Sequence, residues 1–151
     1  MSRHGYVEFD GDDPLAEGRW RGAMLSALRG KRGQAFLREL LEAINAIPDK
    51  LLVANKFTRG GEVCALGSVA VRRGIDLTEF EPGEGEDSWD DDVDHDALAA
   101  KFGIASCMAR EIMYENDEGG WRETPQERWK RVRDWVIRNI RSPSTSGVPH
   151  E

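Results

Sequence analysis

The chain has 151 residues, of which 39% are hydrophobic and 32% charged, and its formal net charge is −7. This length fits one ordinary domain with a hydrophobic core that needs no metal or disulfide staples. The longest uncharged stretch, Val63 to Val71, is far shorter than the roughly 20 apolar residues of a membrane span. The opening residues, MSRHGYVEFDGDD, lack a signal-peptide core, so we expect a soluble protein in the cytoplasm.

The negative charge is concentrated in one segment. Eleven of the 28 acidic residues lie between Gly74 and Ala100, where there is no Lys or Arg, so bases outnumber acids in the rest of the chain. Further acids precede the first predicted helix, whereas residues 18–38 and 122–141 are mainly basic. The chain is therefore bipolar rather than uniformly acidic.

The first 50 residues predict an acidic arm and two helices. Residues 1–16 are irregular in pattern, and apolar side chains then recur every three or four residues over 17–28 and 34–47. Pro48 ends the second helix. Because the basic turn between the two helices is short, we expect them to be antiparallel neighbours.

The middle of the chain is less regular. Residues 51–57 are short and apolar, so they predict either a strand or a connecting segment. A third helix is predicted over 62–73 with Gly74 as its C-cap, and Gly67 within it indicates a close helix contact. Residues 76–94 are rich in Pro, Gly and acids, which predicts a mobile loop.

Three more helices are predicted over 94–102, 105–116 and 125–140. The last begins at Thr124-Pro125-Gln126-Glu127, which has the pattern of a capping box with proline in the first helical position. Residues 142–151 are predicted to be a disordered tail.

These elements together predict a single, mainly α domain over residues 17–141. We expect a compact bundle of about six helices with at most one short strand or hairpin, and with an internal helix-turn-helix-like hairpin.

That hairpin is the most specific local pattern, His95 to Ile112, HDALAAKFGIASCMAREI. Gly103 permits a left-handed turn residue, and the small Ala109 allows the two helices to cross closely. DNA binding would place the second helix of the hairpin in a major groove. On this helix, however, Arg110 is surrounded in the sequence by many carboxylates. Repulsion from a polyanion disfavours that role, so we interpret the hairpin as a packing unit.

Candidate interaction residues lie in the acidic segment, where Trp89 stands among carboxylates. A tryptophan rimmed by charge is typical of a protein contact, although Trp89 can instead pack its loop onto the body. An EF-hand starting at Asp90 or at Asp92 lacks the required Gly and Glu. The candidate interaction residues are Asp87, Trp89, Asp90, Asp91, Asp92 and Asp94.

A second candidate surface is a basic patch that can meet phosphates, complement the acidic segment or form solvated helix surface. Its residues are Arg19, Arg21, Arg29, Lys31 and Arg32. Five tryptophans are many for a chain of this length, and an exposed one is a candidate contact residue. Trp129 lies on the apolar face predicted for the last helix, whereas Trp135 lies outside that face.

No catalytic or metal-binding pattern is present. The three histidines are far apart, and there is no HExxH or CxxC sequence. Cys64 and Cys107 are predicted to be buried free thiols, and no serine lies in a nucleophile elbow. The sequence therefore predicts no enzyme, no metal and no cofactor.

Three stretches resemble a family of small phage and prophage proteins with no assigned activity. They are RWRGAMLSALRGKRGQAFLRELLEAINAIPDK, GEVCALGSVAVRRGID and AREIMYENDEGGWRETPQERWKRVRDWV, in which Tyr114–Glu118 is the most distinctive run. The resemblance implies an accessory protein that acts in the host cytoplasm, and it transfers no functional residues.

The sequence thus favours a non-enzymatic accessory protein that binds a host or phage protein, with charge steering the encounter. The alternative is a small DNA-binding regulator that uses the hairpin 95–112. The first hypothesis expects a protein partner and neither nucleic acid nor membrane.

Overall fold

Six helices and one β-hairpin make up the part of the chain, residues 15–81 and 93–141, that the computed structural model describes. The helices are α1 (Ala16–Arg29), α2 (Lys31–Asn45), α3 (Ala65–Arg73), α4 (His95–Phe102), α5 (Ser106–Asp117) and α6 (Pro125–Asn139). The antiparallel strands are β1 (Thr58–Arg59) and β2 (Glu62–Val63). The predicted mainly α fold with at most one hairpin is confirmed.

Helix α5 lies at the centre of the bundle and contacts α1, α3, α4 and α6. Helix α2 packs against α1, α3 and α6 on the other side of the core. Fully buried side chains from these helices fill the space between them, which is what an apolar stripe at helical spacing predicts. They include Leu37, Leu40, Ile44, Leu66, Val69, Met108, Ile112, Val132 and Val136.

Helix α2 begins three residues earlier than its apolar pattern indicates. Only Gly30 separates it from α1, so Lys31 already lies in the first turn. Gly33 makes this junction possible, because a Cβ atom there would lie 1.8 Å from the Ala27 carbonyl oxygen. The buried Gln34 side chain then donates to the Leu28 carbonyl at 2.7 Å.

Residues 51–57 form a connecting segment rather than a strand. Its backbone bonds go to other elements: the Leu52 amide donates to Pro125 O at 3.1 Å, and the Val53 amide donates to Val63 O at 3.0 Å. Leu52 and Phe57 are completely buried. The segment is therefore held by its neighbours along most of its length.

The predicted start of the third helix at residue 62 is wrong. Gly60 and Gly61 both have positive φ (58° and 87°), which favours a two-residue hairpin turn and places Glu62 and Val63 in β2. Helix α3 begins only at Ala65. Its predicted C-cap is confirmed, since Gly74 is left-handed at φ 69°.

The close contact predicted at Gly67 exists, but its partner is not a helix. A Cβ atom at this position would lie 2.3 Å from the carbonyl oxygen of Phe57 in the connecting segment. Any larger residue at position 67 would therefore displace backbone.

Of the predicted mobile loop over 76–94, the structure describes residues 76–81 and 93–94. Thr78–Phe80 form a short 3-10 turn, and Leu77 and Phe80 are buried in the core. Residues 82–92 lie outside the described residues, as do residues 1–14 of the acidic arm predicted over 1–16 and the predicted tail at 142–151.

The capping box at the start of α6 is confirmed. The Thr124 hydroxyl oxygen accepts from the Glu127 amide at 3.1 Å, and the Glu127 carboxylate accepts from the Thr124 amide at 3.2 Å.

The expectation that Trp135 lies outside the apolar face of α6 is wrong, since this side chain is buried. The buried face of α6 also includes Arg128, so the centre of that face lies closer to Trp135 than the apolar pattern indicates. Trp129 is therefore only half-buried.

Candidate functional site

Most of the predicted acidic interaction residues, namely Asp87, Trp89, Asp90, Asp91 and Asp92, lie outside the described residues. The remaining one, Asp94, has a structural role because its carboxylate accepts from the Ala97 amide at 3.0 Å and caps the N-terminus of α4.

The basic patch is exposed at all five positions. Arg21 pairs with Glu17 one turn earlier at 3.4 Å, and Lys31 and Arg32 occupy the first turn of α2. Bases at a helix N-terminus oppose the helix dipole. None of the patch residues lines the three cavities described below.

The helix-turn-helix-like hairpin is present as a local structure. Gly103 is left-handed at φ 70° between α4 and α5, and Leu98, Phe102 and Ile112 are buried. Every residue of α5 is buried or half-buried, because this helix lies at the centre of the bundle. A recognition helix must present an open face to the major groove, so the geometry disfavours DNA binding through this hairpin.

An apolar groove of about 260 Å³ opens between the end of α2, the connecting segment, the hairpin and α3. Among the large apolar side chains of the groove, Val71 of α3 is the exposed one, with 66% of its surface accessible, although the six α3 residues before it are buried. The apolar side chains that line the groove are Ala43, Ala46, Ile47, Pro48, Leu51, Val63 and Val71.

Val71 also lines a second depression of about 160 Å³, which lies between α3 and the residues that follow it. We call the two depressions together the Val71 surface. Carboxylates from four positions line it: Asp49, Glu62, Asp76 and Glu81.

Three basic residues stand near these carboxylates, and one of them, Lys101, interacts with Asp76. Arg72 also lines the groove, but it pairs with Glu42 at 3.6 Å, and Arg59 is opposite Glu62 in the hairpin register. Acids outnumber bases, so the Val71 surface is an apolar centre in a net acidic ring.

A polar cluster joins the end of α5 to the connecting segment and to α3. The buried Asn116 side chain donates to the Val53 carbonyl at 2.8 Å and accepts from the Ala65 amide at 3.0 Å. The next residue, Asp117, accepts from the Asn55 amide at 3.1 Å. Asn55 has a left-handed backbone (φ 61°), which asparagine tolerates better than most residues.

Arginines of α6 complete this cluster. Arg131 makes two hydrogen bonds to the Glu123 carboxylate, at 2.6 and 2.9 Å, which raise the pKa of its guanidinium. Arg128 is only 8% exposed and donates to the Leu52 carbonyl at 3.0 Å. Burial lowers the pKa of Arg128, while the negative charges of Glu123 and Asp117 partly compensate.

A cleft of about 400 Å³ lies beside the cluster, and we call it the Trp121 cleft. Trp121 is 87% exposed at this cleft, and the Arg122 guanidinium lies 4.4 Å from the centre of its ring. The residues that line the cleft are Ala54, Asn55, Asp117, Glu118, Gly120, Trp121 and Arg128.

Sequence reasoning did not single out any residue of the Trp121 cleft as a site residue. Asp117 and Glu118 lie in the distinctive run Tyr114–Glu118, whose resemblance to other sequences implies no site residue. The signal that pointed to the cleft was Trp121 after two glycines, outside any apolar periodicity.

Neither cysteine has the environment of a nucleophile. Both are free, as predicted, but the expectation that both are buried is wrong for Cys107, which is half-buried. The Cys64 thiol is buried, accepts from the Gly67 amide at 3.3 Å, and has its pKa raised by burial. Burial also raises the pKa of the half-buried Cys107. Thiolates, the reactive form, are therefore disfavoured at both positions.

Within residues 15–81 and 93–141, no group of three or more His, Cys, Asp or Glu side chains is arranged to hold a metal ion. In the same residues, no helix combines the length and apolar character that crossing a membrane requires.

The fold and these two surfaces define a small helical protein with one apolar and one polar concavity. Comparison of the chain with protein-family models, curated proteins and solved structures found no match.

Proposed function

We propose that the chain is a non-enzymatic protein-binding module whose Val71 surface receives an apolar side chain flanked by lysine or arginine. The observation that carries this proposal is the exposure of Val71 at the meeting point of two depressions. Exposed apolar surface around a concavity is a common feature of protein-binding sites.

The charge around the surface selects the partner. Asp49, Glu62, Asp76 and Glu81 surround the apolar centre, and Arg72 is paired with Glu42. Basic groups that flank an apolar anchor would therefore be attracted, and acidic ones repelled. The acid-rich residues that follow Glu81 in the sequence extend the same sign of charge.

The biological setting in this proposal rests on the sequence resemblance alone. We propose an accessory protein of a phage or prophage that acts in the host cytoplasm on a host or phage protein. Its partner would be one with a basic surface, such as a protein that otherwise binds nucleic acid.

The test uses the immobilised full chain and synthetic helical peptides that carry one leucine between lysines. Matched peptides carry serine in place of leucine, or glutamate in place of lysine. We expect only the leucine–lysine peptide to bind, with an affinity that falls as salt is raised, because salt screens exposed charges.

Val71→Lys should abolish this binding, since it removes the apolar contact and adds a repelling charge. The matched control is Ile137→Lys on α6, where an apolar side chain is 42% exposed away from the Val71 surface. Replacing Asp90, Asp91 and Asp92 with Asn should weaken binding if the acidic segment steers the partner. Equal binding by the wild type and Val71→Lys would refute the proposal.

A further inference from the structure

The Trp121 cleft is a second site, independent of the Val71 surface, with which it shares no lining residue. Its volume of about 400 Å³ lies within the range of sites for small ligands. It lies between the connecting segment and the turn that joins α5 to α6.

The polar groups around the cleft are already held in place. One Asp117 oxygen accepts from both the Asn55 amide (3.1 Å) and the Asn116 side chain (2.9 Å). Arg128 is tied to the Leu52 carbonyl. A ligand would therefore meet fixed donors and acceptors and would lose little free energy in ordering them.

Trp121 offers a flat apolar surface at the same place. Gly120 precedes it with φ 95°, a left-handed conformation that suits glycine and directs the chain into the turn. Arg122 stacks on the indole ring, so one side of the ring is occupied and a planar ligand can use the other. Stacking on an aromatic side chain, such as tryptophan, is a common way in which proteins hold an unpaired nucleobase.

The charges of the cleft favour a neutral ligand. The carboxylates of Asp117 and Glu118 oppose an anion, and the guanidinium of Arg128 opposes a cation. The Arg128 Nε is buried and forms an ion pair with the Glu123 carboxylate at 3.4 Å, which holds the guanidinium in place at the edge of the cleft.

We propose that the Trp121 cleft binds a nucleoside, whose base stacks on Trp121 and presents acceptors to Arg128 and donors to the carboxylates of Asp117 and Glu118. A nucleobase is planar, uncharged and carries donors and acceptors on one edge, which is the combination that the cleft requires. A phosphate group weakens binding, because it approaches two carboxylates.

The experiment titrates the ¹⁵N-labelled full chain separately with adenosine, guanosine, cytidine and uridine, and follows the indole N–H resonance of Trp121 by NMR. This resonance is identified by its absence from Trp121→Ala. We expect at least one nucleoside to shift it saturably, and the corresponding 5′-monophosphate to bind more weakly.

Trp121→Ala should weaken the binding of that nucleoside by about tenfold or more, as loss of a base–aromatic stack does. The indole is 87% exposed, so the variant should keep the wild-type unfolding temperature. The control Ile137→Ala, which removes an exposed apolar side chain elsewhere, should bind like the wild type. A Trp121 resonance unmoved by all four nucleosides, unchanged affinity in Trp121→Ala, or tighter binding of the monophosphate would each overturn the proposal.

Discussion

Asn116 shows how much a single buried amide can hold together in this protein. Its side chain uses both its donor and its acceptor on backbone groups from two distant parts of the chain, Val53 and Ala65. A buried polar group is stabilising only while its partners are present, and leaving one unsatisfied costs more than the bond contributes.

We therefore expect Asn116→Asp to lower the free energy of unfolding by more than about 2 kcal/mol at neutral pH. The substitution places a carboxylate oxygen where the amide now donates to the Val53 carbonyl at 2.8 Å. Urea unfolding followed by circular dichroism measures the loss. Asn45→Asp, the same change at an exposed position, is the control, and equal effects of the two variants would contradict the role of Asn116.

His95 connects stability to pH. Burial and the nearby Arg110 lower its pKa below the usual value, and they outweigh the opposing effects of Asp96 and Asp94. Between the lowered pKa and the unfolded value of about 6.5, the unfolded chain binds the proton more tightly. Acidification through this range therefore favours unfolding.

His95→Gln should remove that part of the pH dependence. We expect the variant to lose less stability than the wild type between about pH 7.5 and about pH 5.5, because glutamine does not titrate. Urea unfolding at the two pH values gives the comparison, in which His4 and His150 are common to both chains. The same loss in both proteins would show that His95 does not contribute.

At the scale of elements, the ends of helices could be predicted well, whereas the exposed face of a helix could be predicted less well. The capping box and the left-handed caps at Gly74 and Gly103 depend on residues within one turn, so the sequence contains all the information they need. The exposed face of α3 was not predicted, because residues Ala65 to Val71 include no charged residue that would mark the exposed side of the helix.

The capping box gives a direct test of helix stability. Thr124→Ala removes the oxygen that accepts from the Glu127 amide, and it should cost about 1 kcal/mol of unfolding free energy. Thr124→Ser keeps the hydroxyl and should stay close to the wild type. Thermal and urea unfolding measure both variants. A Thr124→Ala protein as stable as Thr124→Ser would mean that the cap is not needed once Pro125 and packing have set the helix start.

Across the whole molecule, the predicted helical bundle was found but the two concave surfaces were not foreseen. The hairpin 95–112, in which Leu98 and Ile112 are buried, can be predicted because helical spacing and a turn glycine are local patterns. The Trp121 cleft depends on contacts between residues such as Asn55 and Asp117, which are 62 positions apart. No local pattern in a single sequence shows which distant polar side chains meet.

The connecting segment has a consequence for the order in which the chain folds. Leu52 takes its backbone partners from Pro125 and Arg128, and Val53 takes its partners from Val63 and Asn116. This segment has no hydrogen-bonded structure of its own, so it cannot become native until α6 has docked. The native structure in the middle of the chain therefore depends on a helix that lies 76 positions further along the sequence, at Arg128.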